Sequence, residues 1–141
     1  MLTPVGIYLR LRDRFRDTIL LESADFHASE NSWSFIGVQA IAGFEAIDLH
    51  TVEFKFPGQE PERKKLAKPQ DLVPALNEYL AAFTASGDCS VKAAQGFFGY
   101  TSYDAVQFFD SIQFDAAKES TTASNLLRYR LYQYVIAINH F

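Results

Sequence analysis

The sequence predicts an α+β fold: a mainly antiparallel β-sheet or sandwich with one or two helices packed against it. Apolar and polar residues alternate in several short segments, one later segment has helical spacing, and 48% of the 141 residues are hydrophobic. A chain of this length buries about two thirds of its unfolded surface, so one core, and hence a single domain over residues 1–141, is expected.

Val5, Ile7, Leu9 and Leu11 alternate with Gly6, Tyr8, Arg10 and Arg12. A period of two predicts a half-buried first strand. Thr18 to Leu21 and Trp33 to Val38 are short apolar runs suited to buried strands, and Ile41 to Asp48 resumes the alternation with either face available to the core. Val52, Phe54 and Phe56 then alternate with Glu53 and Lys55 until Pro57-Gly58 stops the strand.

Residues 59–70 are charged and proline-bearing, which predicts a solvated connection; Glu60 and Glu62 balance the basic cluster of Arg63, Lys64, Lys65 and Lys68. Asp71 is placed to cap a helix, Pro74 fits its first turn, and Leu72, Leu76, Tyr79, Leu80 and Phe83 share one face. A helix from Asp71 to Ala85 is therefore expected, ended by Ser86-Gly87-Asp88. In GFFGYTSYDAVQFFD, Gly96 and Gly99 permit close approach of backbone or ring, and a shorter helix fits Tyr103 to Phe109. Asp115 to Asn125 reads as a loop, and Leu131 to Ile138 as a buried strand. That strand runs almost to Phe141, which predicts a fragment of a longer protein.

The formal net charge of −4 gives no electrostatic basis for a polyanion partner, so nucleic acid is disfavoured. No apolar run reaches the roughly 20 residues of a membrane span, and no signal peptide leads the chain. One cysteine, Cys89, cannot form an internal disulfide, which suits a cytoplasmic protein. His27, His50 and His140 are scattered without metal-ligand spacing. There is no G-x-S-x-G elbow, no phosphate-binding glycine loop, and no carboxylate pair beyond those any acidic chain offers. No catalytic residue, metal or cofactor is assigned to these residues.

The polar block from Ser23 to Ser32 exceeds what chain reversal between two strands needs. Glu22 offers an anion for an ammonium group, Ser23 a donor and acceptor, and Leu21, Trp33 and Phe35 apolar surface. These suit a pocket for a zwitterionic, hydrophobic small molecule. The alternative is that Ser23 and Asp25 only cap a turn.

Four segments in order, LLES, WSFIGV ten residues later, GFFGYTSYDAV and YQYVIAINHF, resemble the N-terminal region of anthranilate synthase component I over essentially the whole chain. The related aminodeoxychorismate synthase component I shares the pattern. The resemblance implies a full-length lyase of tryptophan biosynthesis that converts chorismate to anthranilate with magnesium, using ammonia from a glutamine amidotransferase subunit. Its chorismate and magnesium sites would lie in a C-terminal domain absent from this sequence, leaving these residues inactive alone. It further implies that LLES belongs to a feedback site for L-tryptophan, carrying Leu21, Glu22 and Ser23 over as ligand-facing positions. Trp33, followed by Ser34, stands where relatives place a basic or polar residue just before SFIG, so stacking or backbone contact would replace a side-chain hydrogen bond there. The strands would complete a larger sandwich with the absent domain, and the apolar surface exposed without it suggests self-association. A free-standing amino-acid-binding module is the other reading of the same residues.

Overall fold

The computed structural model describes residues 3–22, 32–88, 90–112, 114 and 124–140. Its elements are helix α1 (Pro4–Arg12), strands β1 (Ile19–Glu22), β2 (Trp33–Asp48), β3 (Thr51–Lys55) and β4 (Glu62–Lys65), helix α2 (Leu72–Ala81), and strands β5 (Phe97–Thr101) and β6 (Leu127–Asn139). Short 3-10 turns occupy Pro69–Asp71, Lys92–Ala94 and Tyr103–Phe108. The six strands form one sheet in the order β4-β3-β2-β6-β5, with β1 also paired to β2. The expected α+β class with mainly antiparallel strands is what the chain adopts.

The pairs β1 with β2, β2 with β3, and β3 with β4 are antiparallel. The ends of β2 and β6 fix the sense of that pair as well. The Leu126 amide donates to the Ala46 carbonyl (2.8 Å), and the His140 amide donates to the Ser32 carbonyl (3.0 Å). The start of each strand thus meets the end of the other.

Residues 5–12 correct the sequence reading, for they form α1 and not a strand. The Thr3 side chain accepts a hydrogen bond from the Gly6 amide (3.1 Å), Pro4 stands at the first helical position, and Arg10 and Arg12 fall in the last turn. Each favours a helix start or end. The alternation misled because Ile7 and Leu11, four apart, also share one helical face; both are half-buried.

The two runs 33–38 and 41–48 are one strand of 16 residues. Gln39 interrupts it locally with φ of 63°. A left-handed conformation costs a non-glycine residue about 1 kcal/mol, which neighbouring ladder bonds offset. The expected connection 59–70 contains β4, all four of whose residues are exposed. It has no apolar face to signal a strand. Pairing of Val52 with Lys64 and Glu53 with Arg63 holds it, and its charges protect the sheet edge from further pairing.

Helix α2 starts one residue later and ends four residues earlier than expected. The Asp71 carboxylate does not cap it; it turns back to accept from the Lys68 amide (3.1 Å) and closes the preceding 3-10 turn. The segment 103–108 is 3-10 and not α-helical. Close backbone approach occurs at Gly99 but not at Gly96. A Cβ on Gly99 would sit 1.9 Å from the Arg128 carbonyl oxygen, whereas one on Gly96 would meet nothing within 4 Å. The last strand is longer than expected, and its Tyr134 and Ile136 are exposed.

The chain forms two compact units. One comprises 1–41, 87–98 and 130–141; the other comprises 42–86 and 99–129. In the first, Ile36, Val38 and Tyr132 are buried. The Tyr132 ring lies over Gly37, where any Cβ would fall 2.6 Å from ring atoms and 2.9 Å from Ile19. Arg130 is held there with its pKa lowered by burial, against the opposing influence of Asp17 and Tyr132.

In the second unit, α2 packs on the β2–β3 pair through Tyr79. Its ring lies 5.9 Å from Phe44, 5.0 Å from Phe54, 4.9 Å from Phe56 and 5.1 Å from Phe83. Such contacts contribute roughly 0.5–1.5 kcal/mol each beyond area burial. The Tyr79 hydroxyl donates to the Lys55 carbonyl (2.6 Å), so the buried polar tip is satisfied. On the other face of β3, Glu53 binds Arg63 (2.8 Å). Glu45, directly opposite Glu53, is in turn held by Arg128 (3.4 Å) and by Asn125. Two carboxylates facing each other across strands repel, and these flanking donors compensate.

Candidate functional site

The site follows from a local property of strands: alternate residues point to opposite faces, and direct partners across a pair share a face. β1 pairs with β2 so that Leu20 meets Ile36, Leu21 meets Phe35 and Glu22 meets Ser34. Glu22 and Ser34, 12 positions apart in sequence, are therefore neighbours on one face. Leu21 and Phe35 occupy the other face, where Trp33 stacks on Phe35 (6.4 Å, 17°) and Phe35 approaches Phe98 (5.7 Å).

Four of the five expected site residues thus divide between two faces. Glu22 and Ser34 come together, and Leu21 and Trp33 join an aromatic surface on the reverse side. Ser23 lies outside the described residues, as do Asp25, His27 and Cys89. The apolar and polar parts of the expected pocket are not side by side in the β1–β2 pair.

Ser34 is 0% exposed, and its hydroxyl needs a partner at that depth. His140 provides it, with Nε2 2.8 Å from Ser34 Oγ. The His140 amide also binds Ser32, so the end of β6 is fixed at two points to the start of β2. A row of Glu22, Ser34 and His140 results across β1, β2 and β6. Glu22 and His140 are exposed at its ends. Residue types and spacing gave no sign of His140, which stands 106 positions from Ser34; only strand pairing unites them.

The order of this row limits its chemistry. A serine nucleophile needs a base at its hydroxyl and an acid on the far side of that base. Here the acid stands beside the serine and not behind the imidazole. The arrangement offers an anion, a buried hydroxyl and a ring nitrogen for recognition. Among the described residues no group of three or more His, Cys, Asp or Glu side chains is placed to hold a metal ion. Among them, too, no helix is long and apolar enough to cross a membrane.

No protein-family model matches this sequence, and no curated protein matches it.

Proposed function

We propose that this chain is the N-terminal regulatory and structural region of a chorismate-using lyase subunit of the anthranilate synthase component I type, contributing part of a feedback site for L-tryptophan. The observation that carries this reading is the pairing of Glu22 with Ser34. Within the two segments named by the resemblance, Leu20 to Glu22 lie beside Ser34 to Ile36, with an anion and a hydroxyl on a common face. The YQYVIAINHF segment adds His140 to the same row. An ammonium group suits Glu22, and the neighbouring donors suit a carboxylate.

In this proposal the chemistry belongs to a C-terminal domain outside these 141 residues, which holds chorismate and magnesium and receives ammonia from a glutamine amidotransferase subunit in the cytoplasm. Exposed Tyr134 and Ile136 on β6 give apolar surface to that domain, or to a second copy when it is missing. A fold-completing role without a ligand is the second reading. It is favoured by the placement of Leu21 and Trp33 on the face opposite Glu22.

The test is an assay of the full gene product carrying this chain, with chorismate, an ammonium salt and magnesium. Anthranilate fluorescence that L-tryptophan suppresses, with Glu22→Gln raising the concentration needed for half inhibition, is the expected result. An aminodeoxychorismate product places the parent in the related synthase, and no turnover of chorismate overturns the lyase assignment.

A further inference from the structure

We propose that residues 133–139 of β6 are an open sheet edge through which two copies of this chain pair antiparallel, across a two-fold axis at Ile136. This contact needs no ligand and stands apart from the amino-acid-binding reading above.

Strand length leaves the edge open. β6 has 13 residues and β5 has five. The amide of Ser102, one residue beyond β5, donates to the carbonyl of Leu126, one residue before β6 (2.8 Å). The two strands are therefore antiparallel, and β5 opposes only residues 127–131. Further along, β2 flanks β6 on one side as far as the bond from His140 to Ser32, and among the described residues no strand flanks it on the other. Alternate backbone amides and carbonyls of residues 133–139 thus face no strand, and such a row is a template for another chain.

The composition of this edge suits a second copy. Residues 133–139, QYVIAIN, carry no charge and no proline, the usual guards of an edge, whereas β4 at another edge is charged throughout. A charged partner finds no counter-ion here, and two copies meet without like charges in contact. An axis at Ile136, the midpoint, uses the whole open stretch. Ile136 then lies opposite Ile136 of the second copy, Tyr134 opposite Ile138, Val135 opposite Ala137, and Gln133 opposite Asn139. Tyr134 and Ile136, 58% and 37% exposed, gain the aromatic and β-branched neighbours that stabilise antiparallel pairs. Each terminal amide side chain offers the other a donor and an acceptor. Because both copies use the same edge, association closes at a dimer.

The test is sedimentation velocity of the 141-residue chain over a concentration series, with disulfide trapping to read the register. The native chain should shift from monomer to dimer as concentration rises. Cys89, the one native cysteine, is first replaced by Cys89→Ala. In that background Ile136→Cys should yield a cross-linked dimer with oxidised glutathione, because the axis sets position 136 against itself with Cβ atoms about 5 Å apart, a small shift from disulfide geometry. Tyr134→Cys should cross-link roughly tenfold more slowly or less, since its counterpart lies about 14 Å away along the partner strand. Ile136→Lys places two ammonium groups face to face and should leave a monomer with unchanged circular dichroism. A native chain that stays monomeric, equal cross-linking at the two positions, or a dimer that survives Ile136→Lys overturns the proposal.

Discussion

Glu22 on β1 and Ser34 on β2 are direct partners across an antiparallel pair, and Ser34 is fully buried while Glu22 is exposed. The pairing converts two separated sequence segments into one polar row, capped by the His140 ring bound to Ser34. Strand alternation puts Leu21 and Trp33 on the other face. The apolar neighbours that share the face of Glu22 and Ser34 in this pair are Leu20 and Ile36.

Gly99→Ala should unfold the protein or destabilise it by about 3 kcal/mol or more, because its Cβ would lie 1.9 Å from the Arg128 carbonyl and backbone must move. Gly58→Ala serves as a contrast, since nothing lies within 4 Å of its Cβ position and only its φ of 71° is strained. Urea unfolding followed by circular dichroism checks the difference. Equal effects would show that β5 and β6 are not so closely apposed.

Tyr79→Phe should cost about 1 kcal/mol, the net worth of the lost bond to Lys55, without disturbing the ring contacts. Tyr79→Ala should cost about 3–5 kcal/mol by removing the ring on which Phe44, Phe54, Phe56 and Phe83 converge. Denaturant midpoints of the two variants give both values.

Burial pushes the Tyr79 phenol up from 10.0 to about 12, against a hydrogen bond from the Gly43 backbone that favours the ionised form. In the unfolded chain the group ionises near 10, so the folded state binds more protons between those values. Stability associated with Tyr79 is present below pH 10 and falls as pH rises towards 12. Tyr79→Phe should flatten that alkaline decline in thermal melts.

Asp48 gives the opposite sign. Burial disfavours its carboxylate, but hydrogen bonds from the His50 amide and from Thr51, with the charge of Lys65, outweigh this and hold its pKa below 3.8. A depressed carboxylate stabilises above its unfolded pKa and loses that contribution as pH falls through the folded value. Asp48→Asn should narrow the stability difference between pH 7 and pH 3 by less than about 1 kcal/mol, because the group is exposed and screened. Melting temperatures across that range check it.

Most strands with an apolar face were legible in the sequence: β1, both halves of β2, β3 and β6 follow from runs and alternation, whereas β5 was hidden because its aromatic run is broken by Gly99. Elements lacking that signal were not. β4 is charged throughout and exists because β3 accepts its backbone, while α1 was hidden by a pattern compatible with both periods. The helical face of α2 identified Tyr79, but its end at Ala81 depends on local turns that spacing does not encode. For the candidate site, Glu22 was named from its residue type and Ser34 only through the family resemblance. Their sharing of a face required the register, and His140 required a third strand distant in sequence.

The most direct measurement is calorimetric titration of L-tryptophan into the full gene product carrying this chain, native and with Glu22→Gln. The account predicts binding by the native protein, weakened roughly 10- to 100-fold by the substitution, as expected for loss of a charged partner to the ammonium group. Binding of equal strength in both proteins, or none in the native one, would contradict an amino-acid site at the β1–β2 pair.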